Sequence, residues 1–285
     1  MIYVLLSVVC SVLVSVLLKL ARRSDVDVGQ AIAWNYVVAG ALTALLLQPS
    51  LAMLSEAGAP WLALIGLGIL LPMIFLALAA SVRHAGIVRS DAAQRLSLLM
   101  SLLAAFVLFG EQLTTLKAVG IAFGLLALLC MVWRSGHSAT HAGAAGWLYP
   151  LLVFVGFGVI DILFKRVALA GVPLGASLQV MFALALLVAF ALQLWRRLRG
   201  HTRFTARSAL AGALLGLANF GNILFYLRGH RALPQHPALV FASMNIGVVA
   251  LGALVGLLVF RERLSRLNLG GVLLALLAIG LIARG

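Results

Sequence analysis

The sequence predicts an all-α integral membrane protein of ten transmembrane helices, arranged as two inverted five-helix repeats. Three observations predict it. Of the 285 residues, 64% are hydrophobic and only 10% are charged, whereas soluble domains are about a quarter charged. The charges fall in short clusters between apolar runs of roughly 17 to 22 residues, long enough to span a bilayer at about 1.5 Å per residue. Each half holds an odd number of such runs, so a second copy of the first half enters the membrane upside down.

The first run, residues 2–20, has no basic segment ahead of it, and Lys19, Arg22 and Arg23 come at its end. That order is the reverse of a cleavable leader and marks a retained first helix. Runs at 32–48, 61–80, 92–109 and 116–133 complete a first repeat, 1–133. The small-residue stretch 134–146 is the linker, and runs at 147–165, 177–195, 209–227, 238–259 and 267–283 form the second repeat, 147–285. Helix is the conformation expected of all ten, because an open strand leaves backbone groups unpaired in hydrocarbon and a barrel strand alternates polar with apolar residues. Gly120 and Gly124, Gly212 and Gly216, and Gly252 and Gly256 have the small-xxx-small spacing that lets helix backbones approach closely.

The formal charge of +14 does not point to nucleic acid, because the cations lie between apolar runs, where they act as topology signals and contacts for anionic lipid headgroups. Cys10 and Cys130 lie inside apolar runs, with neither metal-ligand nor disulfide spacing. The six histidines, His84, His137, His141, His201, His230 and His236, read as loop or span-end residues, and none has a metal-site partner at the right spacing. No phosphate-binding Gly-Lys-Ser/Thr loop, no Gly-x-Ser-x-Gly and no His-Glu-x-x-His is present. No cofactor, metal or enzymatic activity is expected.

The two halves share a motif. Phe109-Gly-Glu-Gln-Leu-Thr-Thr-Leu aligns with Phe260-Arg-Glu-Arg-Leu-Ser-Arg-Leu, Glu111 falling 151 positions before Glu262, each between the fourth and fifth run of its half. Lys19 and Lys165 end the first run of each half, 146 positions apart. At these motifs, and at Ser97-Leu-Leu-Met100, the chain resembles the EamA-type transporters of the drug/metabolite transporter superfamily, over essentially all of both halves. Arg261 departs from the glycine usual before the second Glu. The resemblance implies a ten-helix bundle with a central cavity that moves amino acids, nucleotide sugars, drugs or other metabolites. The related small multidrug exporters trade protons through a glutamate in the middle of the first helix; this chain has none there, so simple drug/proton antiport does not follow.

Polar residues inside the runs are the candidates for substrate contact. Asp161 is the carboxylate placed well inside a run, with Lys165 four residues later on the same helical face. The pair reads either as a proton or substrate-ammonium site or as a self-neutralised pair at a helix end. Asn219, Asn222 and Tyr226 share a face of one run, and Asn245 sits near the middle of the next; in the first half Asn35, Gln94 and Arg95 are comparable. Amides in hydrocarbon either bond neighbouring helices or line a wet cavity. Glu111 and Glu262 read as structural, at helix starts where the dipole favours a carboxylate.

The function expected is a secondary transporter of a small polar, amino-acid-like metabolite in the inner (plasma) membrane, as a monomer or homodimer, with membrane lipids at its arginine-rich loops. A flippase for a lipid or lipid-linked carrier, using Arg95 and Lys19 at the headgroup, and a membrane enzyme acting on a lipid are the alternatives. Loops after the odd-numbered runs hold thirteen arginines, five of them within 196–207, against six basic residues on the opposite side. The positive-inside rule then puts both termini outside; the family resemblance implies both inside.

Overall fold

The computed structural model describes residues 1–22, 24, 26–50, 59–132, 145–259 and 266–285. The regular elements among them are all helical: α1 (Ile2–Arg22), α2 (Val28–Leu47), α3 (Trp61–Val107), α4 (Thr115–Val132), α5 (Ala145–Leu169), α6 (Leu174–Leu198), α7 (Ala206–Ala232), α8 (Pro237–Leu258) and α9 (Arg266–Arg284). Glu262 and most of the expected linker lie outside the described residues. Among the described residues, seven segments are long and apolar enough to cross a bilayer: Ile2–Ala21, Val28–Leu47, Trp61–Val82, Trp147–Leu169, Leu174–Leu198, Ala206–Ala232 and Pro237–Leu258. Three others, Ala93–Val107, Thr115–Ala127 and Leu269–Arg284, are apolar but shorter.

The sequence suggests a break between residues 80 and 92, yet helix continues from Trp61 to Val107. Residues 81–91 contain no proline and a single glycine, so polarity changes there without a backbone reason to stop. A straight helix of 47 residues would be roughly 70 Å long, more than twice the hydrocarbon thickness. The hydroxyls of Ser81 and Ser90 lie 2.6 Å apart, whereas nine residues of straight helix separate their ends by roughly 13 Å. The helix therefore bends sharply between them, and its two arms are the two apolar runs.

The helices form two compact units: Met1–Met73 with Leu163–Ala232, and Ile74–Ile162 with Leu233–Gly285. In the first, α7 packs against both α1 and α2, and α2 also packs against α6. The contact with α2 runs through Gly212 and Gly216. A Cβ on Gly212 would stand 2.5 Å from the Trp34 Cβ and 2.6 Å from the Ala31 carbonyl oxygen, and one on Gly216 would stand 2.7 Å from the Asn35 carbonyl oxygen. Only a glycine face admits backbone at that distance. On the α1 side, Val14 packs with Leu215 and Ala218, and Ser7 donates to both the carbonyl and the side-chain oxygen of Asn222 (2.9 and 2.8 Å).

One end of this unit is tied by Asp27, the N-cap of α2, whose carboxylate accepts the Gln30 N–H. The same carboxylate pairs with Arg196 at 3.2 Å and accepts the Thr202 hydroxyl at 2.7 Å, so the start of α2, the end of α6 and the α6–α7 loop share one anchor. Burial disfavours the charged form, but the hydrogen bonds from Thr202, Arg196 and the Gln30 N–H outweigh it and hold the Asp27 carboxyl below the usual carboxylate range.

In the second unit α4 lies along α9, and α8 packs against both. Gly120 faces the Ile282 N–H and the Ala278 carbonyl, and Gly124 faces Ile246 and Ala278. The third glycine pair behaves differently: nothing lies within 4 Å of where a Cβ on Gly252 would stand, so spacing alone does not make a contact. After α3 the chain reverses at Gly110, whose φ of 67° suits glycine, and this turns Glu111 inward. Its carboxylate accepts the Ala238 N–H at 2.6 Å and pairs with Lys117 at 3.2 Å, both side chains almost fully buried. Glu111 thus sits at a helix start, but the helix it caps is α8, far along the chain, rather than α4 immediately after it. Lys117, counted from sequence among the topology charges, is an internal partner.

Replacing Gly216 by Leu should force α2 and α7 apart and lower stability by about 2 kcal/mol or more, whereas Gly252→Ala should leave it unchanged or slightly higher; thermal unfolding of the purified protein in detergent distinguishes the two. Glu111→Ala strands Lys117 and the α8 N-terminus and should cost about 3 kcal/mol. The double variant Glu111→Gln with Lys117→Met keeps an acceptor for Ala238 without a stranded charge, and should recover most of that loss in the same measurement.

Candidate functional site

In the first unit, α2 and α6 face each other through Tyr36 and Phe182, whose ring centroids are 6.4 Å apart, and one turn further through Gly40, beside which lies the Gln179 amide nitrogen. Asn35 and Tyr36 are fully buried. Among the described residues, neither polar atom of the Asn35 side chain has a hydrogen-bond partner, nor does the Tyr36 hydroxyl or the Gln179 side-chain oxygen. A buried polar group left unpaired costs about 1–3 kcal/mol, and surrounding hydrocarbon offers no relief. These polar atoms therefore do not hold helices together by hydrogen bonding among the described residues. Asn219, buried, lies one turn beyond Gly216 on α7. Asn222, in contrast, is engaged by Ser7 and joins α1 to α7.

Further along α7, Tyr226 meets Phe164 edge-on at 5.6 Å and His230 at 4.7 Å. His230 and Lys165 are both fully buried, and the Lys165 ammonium is near enough to act electrostatically on the imidazole. His230 does lie near the end of its helix, as the sequence suggests, and Lys165 ends a run, yet both side chains are turned inward rather than exposed. Arg231 donates to the Val172 carbonyl, which ties the end of α7 to the α5–α6 connection.

In the second unit, Asp161 accepts a hydrogen bond from Ser101 at 2.7 Å. This contact is possible because Gly158, one turn earlier on α5, admits Met100 so closely that a Cβ there would stand 2.6 Å from its sulfur. Asp161 is half-buried, as are Gln94 and Arg95 on the second arm of α3. Asn245 turns back on its own helix, donating to the Phe241 carbonyl at 3.1 Å, while the Ser243 hydroxyl is buried without a hydrogen-bond partner among the described residues. Of the eight sequence candidates, Asn35, Asn219, Asn222 and Tyr226 belong to the first unit, and Gln94, Arg95, Asp161 and Asn245 to the second. Gln179, His230 and Ser101 were missed. A lone Gln or Ser in an apolar run carries no distinguishing signal, and His230 looked peripheral because it is two residues from the end of α7.

Among the described residues no group of His, Cys, Asp or Glu is placed to hold a metal ion. What the arrangement offers is polar and cationic side chains inside apolar helices. A protein of Haemophilus influenzae, itself uncharacterized, is 42% identical over 281 residues, covering 96% of this chain and 94% of its own. A protein of known crystal structure shares the fold with a TM-score of 0.74 at 18% identity, covering 98% of this chain and 94% of that one. The family model for EamA-like transporters matches residues 1–133. With its long apolar helices, this multi-pass membrane chain belongs to the EamA-like transporter family, within the drug/metabolite transporter superfamily.

Proposed function

We propose that the chain is a secondary transporter of the inner membrane that carries a small polar, amino-acid-like metabolite by alternating access. The observation that carries this reading is the group of buried, unpartnered polar atoms at Asn35, Tyr36 and Gln179, since a fold gains nothing from leaving them unpaired. Asn219 and Tyr226 extend the polar lining on α7, Lys165 and His230 supply charge or proton capacity beside it, and Asp161, held by Ser101, is the candidate for ion coupling.

Ten spans in two inverted repeats are part of the proposal, and the packing supports it. The first half contributes its first three runs mainly to the first unit and its last two to the second; of the second half, the runs at 177–195 and 209–227 fall in the first unit and the other three mainly in the second. Contacts recur in matched form: α1 and α2 lie against α7, and in mirrored fashion the first arm of α3 meets α5 and α6, where Gly66 faces Leu163 and Gly68 faces Leu184. In this reading both termini face outward: with the internally engaged Arg196 removed from one side of the charge count, and Lys117 and Lys165 from the other, the arginine excess still favours that orientation.

The transport reading separates from a purely structural one by stability. Tyr36→Phe and Asn35→Leu should abolish or cut at least tenfold the uptake of the metabolite that accumulates differently in cells with and without the protein, assayed in proteoliposomes, while thermal stability stays equal or rises. Lower stability with uptake retained overturns the assignment. Asp161→Asn should remove the dependence of uptake on a pH gradient, and unchanged coupling excludes Asp161 from that role. For orientation, a reporter enzyme that works only in the cytoplasm, fused after Gly285, should be inactive.

A further inference from the structure

On the surface of the first unit an apolar groove of about 670 Å³ runs along α6, lined by Leu187, Phe190, Ala191 and Leu194, with Val37 of α2 on one side and Phe204 at one end. Its volume falls in the range of sites that hold drug-sized ligands, about 300–1,000 Å³. Leu187 and Leu194 are 66% and 54% exposed, so the groove opens outward from a membrane-spanning helix, where its neighbour is lipid.

The groove is built rather than incidental. Phe204 stacks on Phe190 at 6.5 Å with rings nearly parallel, and Trp34 meets Phe190 edge-on from below at 5.6 Å. Fully buried Gln30 holds the backbone on either side of Phe204: its amide nitrogen donates to the Arg203 carbonyl at 2.6 Å and its oxygen accepts the Thr205 N–H at 3.1 Å. At the same end the Arg197 guanidinium lies 5.3 Å from the centre of the Phe204 ring. Arg199 covers the exposed Trp195 at 4.9 Å, a pairing suited to the membrane–water interface. Residues 196–207 contain five arginines and no acid. Arg196 is taken by Asp27, while Arg197, Arg199, Arg203 and Arg207 are exposed.

We infer that this groove binds one anionic phospholipid, its acyl chain against Phe190, Ala191 and Leu194 and its phosphate at Arg197 and the neighbouring arginines. An apolar slot ending at an interface with a cationic cluster that, apart from Arg196, has no acidic partner among the described residues fits that chemistry at both ends. The site is independent of the transport reading, since it uses none of the residues assigned to the metabolite.

The test is native mass spectrometry of the full-length protein in neutral detergent, with phosphatidylglycerol or phosphatidylethanolamine of identical acyl chains added at equal concentration. One phosphatidylglycerol should remain bound at collision energies that strip phosphatidylethanolamine, with at least fivefold enrichment. Ala191→Trp, which fills the groove from an exposed position, should remove the retained lipid. Leu187→Trp does the same from a second position and guards against a folding defect in either. Arg197→Gln should erase the preference between the two lipids. Equal retention of both lipids by the wild type, or an unchanged phosphatidylglycerol adduct in both tryptophan variants, overturns the site. So does a wild-type dimer that both tryptophan variants convert to monomer without change in lipid retention, which assigns the groove to a second copy of the chain.

Discussion

The approach of α7 to α2 at Gly212 and Gly216 is the constraint on which the first unit depends. With backbone oxygens of Ala31 and Asn35 within 3 Å of where side chains would begin, the two helices are held at a fixed depth relative to each other. Everything α7 carries is then placed: Asn222 against Ser7, Tyr226 against Phe164, and His230 within electrostatic reach of Lys165. In a bilayer no hydrophobic effect drives helices together, because the lipid is as apolar as their surfaces. Close backbone packing has to do that work, and a side chain at either glycine would undo it.

The same medium sorts the polar residues. In water an unpaired amide is indifferent, but in hydrocarbon it is a cost that must be met by a partner or by a ligand. Ser101 with Asp161, Ser7 with Asn222, and Gln30 with Thr202, Arg203 and Thr205 are met internally. Asn35, Tyr36 and Gln179 are not. Within the first unit, the contrast with Asn222 and Gln30 gives the candidate site more weight than polarity alone, since it shows that the fold is able to pair its buried amides.

Much of the architecture is legible in the sequence, because span length and composition follow directly from bilayer thickness. Seven spans long enough to cross a bilayer and two of the three glycine pairs could be read from local pattern. What could not be read depends on distance in space. Gly252 has the spacing of a contact glycine and no neighbour; the bend of α3 carries no breaker and shows only in the meeting of Ser81 and Ser90; Glu111 serves a helix that begins over a hundred residues later. Likewise nothing in the sequence distinguishes Gln30, whose side chain makes three hydrogen bonds, from Gln179, whose side-chain oxygen has none among the described residues. An amide's role is set by what folds against it.

The scarcity of acid links these observations to the surface. The chain has 7 acidic residues against 21 lysines and arginines. Each acidic side chain whose contacts are described is engaged inside its own unit: Asp27 with Arg196 and Thr202, Glu111 with Lys117 and the start of α8, and Asp161 with Ser101. Asp27 and Glu111 act as clips at helix N-termini, where a carboxylate meets both exposed N–H groups and the positive end of the dipole. These acids are therefore not available to neutralise the exposed arginines of 196–207. None of the described acids pairs with them, and for residues at the edge of a bilayer the nearest abundant anion is the phosphate of a lipid headgroup. The same economy of acid that stiffens the helix ends leaves a cationic rim facing the membrane.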